Sequence, residues 1–110
     1  MRRNSKTKYG SDSCHCNQGH IHQSRKEARY CDSLGYLKRA KEIKDYEIQK
    51  KFDLSVNGVH ICNYYVDFLV TLMDGTQQAE EVKGFSTDTW LIKKKLFEAL
   101  YPKVKYVVVR

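Results

Sequence analysis

Two dipeptides, Asn57-Gly58 and Asp74-Gly75, constrain this chain more than anything else in it. Tight turns between antiparallel strands need residues that accept positive φ, and these pairs do so at low cost. The flanking runs suit strands. From Ile43 to Val56 the apolar residues turn toward period two (Ile43, Tyr46, Ile48, Phe52, Leu54, Val56), as one long strand or two pieces of one. HICNYYVDFLVTLM follows the first turn and QAEEVKG the second. The sequence therefore predicts a three-stranded meander.

Helical patterns flank it. Ser24-Arg25-Lys26-Glu27 fits a capping box, and Ala28, Cys31, Leu34 and Leu37 form an apolar stripe behind it. Gly35 weakens that helix and favours a bend or an early end there. Residues 88 to 101 predict a second helix with Trp90, Ile92, Leu96, Phe97 and Leu100 on its apolar side, stopped by Pro102. Val104 to Val109 is β-branched and short, as in a buried strand. Before all this, residues 12 to 23 read as a short hairpin around Asn17-Gln18-Gly19, and residues 1 to 11 as a flexible basic arm. The fold class is α/β, with order αβββαβ after the first hairpin. Residues 12–110 make one domain, which suits a chain of 110 residues.

The net charge of +7 points to a polyanionic partner, and a nucleic acid is the commonest. No run approaches membrane-spanning length, and MRRNSKTKYG lacks the apolar stretch of a secretory signal. A cytoplasmic setting is expected, the host's if the chain is phage-encoded. The four cysteines then read as thiols or metal ligands rather than as a disulfide framework.

Asp67 interrupts the apolar strand YYVDFLV. Glu81 and Lys83 lie two apart on the next strand and so point to one face. An acid on one strand beside Glu-x-Lys on its hairpin partner resembles the PD-(D/E)XK nuclease superfamily, over roughly residues 12 to 110. Small phage-type members and the nuclease subunits of some transposases are similar in further detail. The matching features are Ser24 to Ala28 opening the first helix, Gln49 before Phe52, Asp67-Phe68 with Asp74-Gly75, Glu81 to Phe85, and the lysine-rich run Ile92 to Pro102. Val66 stands where the superfamily's name has a proline.

The resemblance implies a restriction-endonuclease-like core, a mixed central sheet flanked by helices. It implies an endonuclease that hydrolyses phosphodiester bonds of DNA, including branched or recombination DNA of the Holliday-junction type, with a metal-activated water. Its catalytic residues would be Glu27, Asp67, Glu81 and Lys83. Asp67, Glu81 and the Val82 carbonyl would ligate Mg2+ or Mn2+, hard ions that prefer oxygen. RNA carries the same phosphodiester and stays open as a substrate. Lys93, Lys94 and Lys95, with Arg2 and Arg3 of the arm, would contact phosphates. Cutting two strands needs two sites, so a homodimer is expected.

Plainer readings stand beside these. Glu27 fits a helix cap, Glu80 a solvated strand position, and Gln49 a structural hydrogen-bonder. Trp90, Phe97 and Tyr101 read as core. Cys14, Cys16, His20 and His22 can be drawn on one face of the first hairpin as a tetrahedral zinc site, although the spacing is tight and a plain hairpin is the simpler reading. Two alternatives to the nuclease follow: a nucleic-acid-binding protein that keeps the fold without cutting, or a small zinc-stabilised interaction module. The nuclease reading also carries a geometric condition. A two-residue turn at Asp74-Gly75 would pair Asp67 with Val82 and turn it away from Glu81, so an odd loop or a β-bulge is required.

Overall fold

The structure, a computed structural model, describes residues 14–16, 19–22, 24–82 and 87–109. Lys83 and the expected basic arm, with Arg2 and Arg3, lie outside the described residues. Strands β1 (Cys14–His15) and β2 (Ile21–His22) form the first hairpin. Helix α1 (Arg25–Arg39) follows, then β3 (Asp45–Val56), β4 (Val59–Thr71), β5 (Gln77–Val82), α2 (Asp88–Leu100) and β6 (Lys105–Val109). The larger sheet has order β3-β4-β5-β6, antiparallel except for the parallel pair β5–β6, so it is mixed. This is the expected αβββαβ order behind an N-terminal hairpin.

Local chemistry sets the element ends. Ser24 caps α1 by accepting from the Glu27 N–H at 3.1 Å, and Thr87 caps α2 by accepting from the Trp90 N–H at 3.1 Å. Asn57 and Gly58, at φ 52° and 81°, close the β3–β4 hairpin with Val56 opposite Val59. The β4–β5 loop is odd, as the nuclease reading requires, but one residue earlier than Asp74-Gly75-Thr76. Leu72 donates its N–H to the Thr76 carbonyl at 2.8 Å, which leaves Met73, Asp74 and Gly75 as the loop, with Gly75 at φ 91°.

Two clusters cover the two faces of the sheet. Cys31, Leu34 and Ala28 of α1 pack with Phe68 and Val70. Trp90 and Phe97 of α2 pack with Leu54, Tyr64, Val66, Leu69 and Ala79. In β4 the even-numbered residues change sides: Tyr64 and Val66 face α2, whereas Phe68 and Val70 face α1. In β3, Phe52 and Leu54 face α2, whereas Tyr46 and Ile48 face α1. Both switches fall at one place, since the pairs Ile48↔Phe68 and Lys50↔Val66 bracket Gln49 and Asp67. Gln49 there has φ 49°, a left-handed conformation that costs a non-glycine residue about 1–2 kcal/mol.

Three expectations are corrected. Helix α1 runs through Gly35, whose bareness suits a buried helix position. Ile92 does not join the core and is 68% exposed. Strand β6 is half-buried rather than buried, because it is an edge of the sheet. Trp90 and Phe97 are core, as expected. Among the described residues no helix is long and apolar enough to cross a membrane.

Candidate functional site

The odd loop fixes the relation of Asp67 to Glu81. The ladder pairs Thr71 with Gln77 and Phe68 with Glu80, and the next residues of the two strands are Asp67 and Glu81. Both line one cleft of ≈ 340 Å3, together with Gln49, Tyr64, Trp90 and Lys93. Asp67 is held from two sides. Its Oδ2 accepts from the Val82 N–H at 2.9 Å, and its Oδ1 lies 3.4 Å from the Gln49 amide nitrogen. Among the described residues no lysine or arginine pairs with Asp67.

Glu81 is buried at 5% exposure. Its Oε1 accepts from the Tyr64 hydroxyl at 3.2 Å and lies 3.4 Å from the Trp90 indole nitrogen. Tyr64 and Tyr106 share a 2.8 Å hydroxyl contact beside it. Burial first, then this hydroxyl pair and the Glu81 charge, pushes the Tyr106 pKa up. Tyr64 is raised as well, chiefly by burial. Both phenols therefore stay protonated as donors, and together they orient the carboxylate from behind.

Glu27 enters from α1. It is buried, and its carboxylate meets the His22 ring at Oε2···Nδ1 3.0 Å. Its pKa is raised, by burial first and then by the negative charge of Asp67, against opposing bonds from His22 and Gln49. Glu27 thus feels Asp67 and shares Gln49 with it, but it is not among the residues lining the Asp67–Glu81 cleft. Its backbone serves the Ser24 cap while its carboxylate serves His22.

Glu80 is not the solvated residue its sequence position suggests. It is 6% exposed, accepts from the Tyr30 hydroxyl and lies 2.7 Å from the Gln78 amide nitrogen. The cause is that β5 is an inner strand, and α1 lays Tyr30 over the face that Glu80 occupies. Burial and the Glu80 bond push the Tyr30 pKa up, so the phenol remains the donor.

A second cluster lies at the other end of the His22–Glu27 bond. Ligand atoms of Cys16, His20, His22 and Cys31 all lie within 4.8 Å of one another, an arrangement that can hold a metal ion such as zinc. The turn builds three of them. Gly19, at φ 87°, donates to the Cys16 carbonyl at 3.0 Å, and the Cys16 N–H donates to the His20 carbonyl at 3.0 Å. The fourth comes from the buried stripe of α1. This corrects the expected set: Cys31 completes the cluster, and the Cys14 side chain lies outside what is described. Sequence reasoning assigned Cys31 to the core because its spacing fits the helix, and only the fold brings it under the turn. His20 Nδ1 lies 3.3 Å from Cys31 Sγ. Burial, then Cys16, pushes the Cys31 thiol up to about 12.

The three helix lysines separate. Lys93 lines the carboxylate cleft. Lys94 pairs with Glu98 at 3.1 Å and sits 4.9 Å over the Tyr106 ring. Lys95 is exposed. Val82 is placed by its N–H bond to Asp67, and Lys83, Arg2 and Arg3 fall outside the described residues.

The αβββαβ order, with Asp67 of β4 and Glu81 of β5 lining one cleft, defines an α/β domain with an acidic cleft. The chain belongs to a family described as a protein of unknown function, DUF1064, whose model matches residues 6–110. No curated protein and no solved structure matches it.

Proposed function

We propose that the chain is a metal-dependent endonuclease acting on nucleic acid. The observation that supports this reading is that Asp67 and Glu81 line one cleft together with Lys93. Among the described residues no lysine or arginine pairs with Asp67, and the negative charge of Asp67 raises the Glu27 pKa; a divalent cation would offset such repulsion. The donors in the cleft fit a hard ion: they are carboxylate oxygens, and magnesium takes one or two carboxylates while keeping waters. Asp67, Glu81 and the Val82 carbonyl would hold Mg2+ or Mn2+, which supplies Lewis acidity and a bound water of lowered pKa.

The chain's own residues do the rest. Val82 N–H and Gln49 fix the Asp67 carboxylate, while Tyr64 and Trp90 fix Glu81. Lys93 presents positive charge where a phosphate enters the cleft. Lys83, two residues past Glu81, belongs to the same reading as the group that holds the attacking water. Glu27 completes the acidic set through the field it shares with Asp67. DNA is the substrate proposed first, with branched forms preferred, since no base-reading element stands out and shape remains. A homodimer is part of the proposal, because two cuts need two clefts.

DNA should be cut in Mg2+ or Mn2+ and EDTA should stop the reaction; linear, flapped and four-way-junction DNA, with RNA beside them, decide which substrate is preferred. Asp67→Asn and Glu81→Gln should lower the rate by more than about a hundredfold while leaving the circular dichroism spectrum unchanged. Full activity in either variant contradicts the assignment. Light scattering of the free and DNA-bound protein decides the dimer, and a monomer in both states removes it.

A further inference from the structure

A hairpin as short as β1–β2 cannot hold itself to a helix. Among the described residues its ladder contains only the pairs Cys14↔His22 and His15↔Ile21. Yet the turn aims Cys16, His20 and His22 at one point on α1, where Cys31 waits at 0% exposure. Tetrahedral zinc with bonds of about 2.3 Å to sulfur and about 2.0 Å to nitrogen needs ligand atoms roughly 3.3–3.8 Å apart. The observed upper limit of 4.8 Å is a side-chain adjustment away from that geometry.

His22 supplies an independent observation. The ring is 3% exposed, and its Nδ1 is engaged by Glu27 at 3.0 Å. Its Nε2 is the one buried side-chain polar atom among the described residues that has no hydrogen-bond partner. A buried imidazole nitrogen left so is unfavourable unless something accepts its lone pair. A carboxylate on one nitrogen fixes the proton there and leaves the other as a ligand, the arrangement common to zinc-bound histidine.

We propose that Cys16 Sγ, His20, His22 Nε2 and Cys31 Sγ bind a structural zinc ion that staples the first hairpin to α1. Two thiolates and two neutral imidazoles give a soft donor set that favours zinc over magnesium. Binding displaces the two thiol protons to solvent, and the ion takes their place between the sulfurs. His22 then ties the zinc to Glu27, so the same ion orients the Glu27 carboxylate. The zinc site itself stands whether or not the carboxylate cleft cuts nucleic acid.

The test uses the full chain, refolded with Zn2+ or with Co2+ as a spectroscopic substitute. One zinc per chain should survive gel filtration, and cobalt should give the intense visible bands of a tetrahedral site together with thiolate charge transfer. Cys31→Ser should lose about half of the charge-transfer intensity, since one of two thiolates is gone, or fail to hold cobalt at all. Cys14→Ser and Cys62→Ser should keep the full wild-type spectrum. Chelation of wild-type protein should lower Tm, and zinc should restore it, which keeps the test valid if Cys31→Ser does not fold. Wild-type protein that holds no zinc and gives no tetrahedral cobalt spectrum overturns the proposal. So does a spectrum lost in Cys14→Ser and kept in Cys31→Ser.

Discussion

Gln49 pays a conformational cost to stand where it does. Its φ of 49° is disfavoured for a side chain with a Cβ, yet it brings an amide to Asp67 and a bond to Glu27. Strain of this kind is tolerated where the surroundings hold it, and it often marks a working position. Two substitutions separate strain from chemistry. Both Gln49→Gly and Gln49→Ala remove the amide, but only glycine relieves the backbone. Gln49→Gly should therefore be about 1 kcal/mol more stable than Gln49→Ala in urea denaturation, while both lose cleavage alike. Equal stability would mean that position 49 is unstrained. Tyr30 makes a second prediction at this scale. Tyr30→Phe takes a donor from the buried Glu80 and should cost about 1–3 kcal/mol, read from the denaturation midpoint. The sequence could not show that burden, because Glu80 looks like any strand acid until α1 is laid across it.

The β4–β5 hairpin is the element that decides the site. Its odd loop pairs Phe68 with Glu80 and so leaves Asp67 and Glu81 as the next residues of their strands; a loop one residue shorter would turn every side chain of one strand to the other face. Gly75 holds φ 91°, and a Cβ added there would meet no atom within 4 Å, so the cost of a side chain is backbone strain alone. Gly75→Ala should lower stability by about 1–2 kcal/mol without a steric clash. Asp74 braces the same loop, with Oδ1 accepting from the Thr76 hydroxyl at 2.7 Å and the Thr76 N–H at 2.9 Å. These bonds, the hydroxyl first, hold its carboxyl below the ordinary range. A lowered folded pKa gives stability that is full above the unfolded value and lost as pH falls through the folded one. The Tm gap between wild type and Asp74→Ala should accordingly shrink in strong acid. The turn pairs, the capping serine and the element order were all legible in the sequence. The loop's starting residue was not, because Asp74-Gly75 fits a two-residue and a three-residue turn equally well. Cys31 was likewise hidden, since helical spacing explains it without reference to the hairpin above.

At the scale of the whole molecule, two chemistries share one domain. A soft cysteine–histidine cluster lies beside α1 and a carboxylate cleft opens toward α2; His22 of the first is bonded to Glu27, which lies outside the cleft lining but within the field of Asp67. The break in alternation at Gln49 and Asp67 is what lets an acid on β4 serve a cleft on the α2 side while Glu27 senses it from α1. Positive charge is distributed to match: Lys93 at the cleft and Lys95 exposed on the same helix, with Lys94 engaged by Glu98. Lys93→Ala with Lys95→Ala should flatten the salt dependence of DNA binding, whereas Lys94→Ala should change it little. An unchanged slope in the double variant would return these lysines to a solvated helix face. The most direct test of the account is a crystal soaked in Mn2+ and measured at the manganese edge. An anomalous peak between the Asp67 and Glu81 carboxylates, absent in Asp67→Asn, is the predicted result. Manganese bound elsewhere, or no peak at that cleft in the wild-type protein, would contradict it.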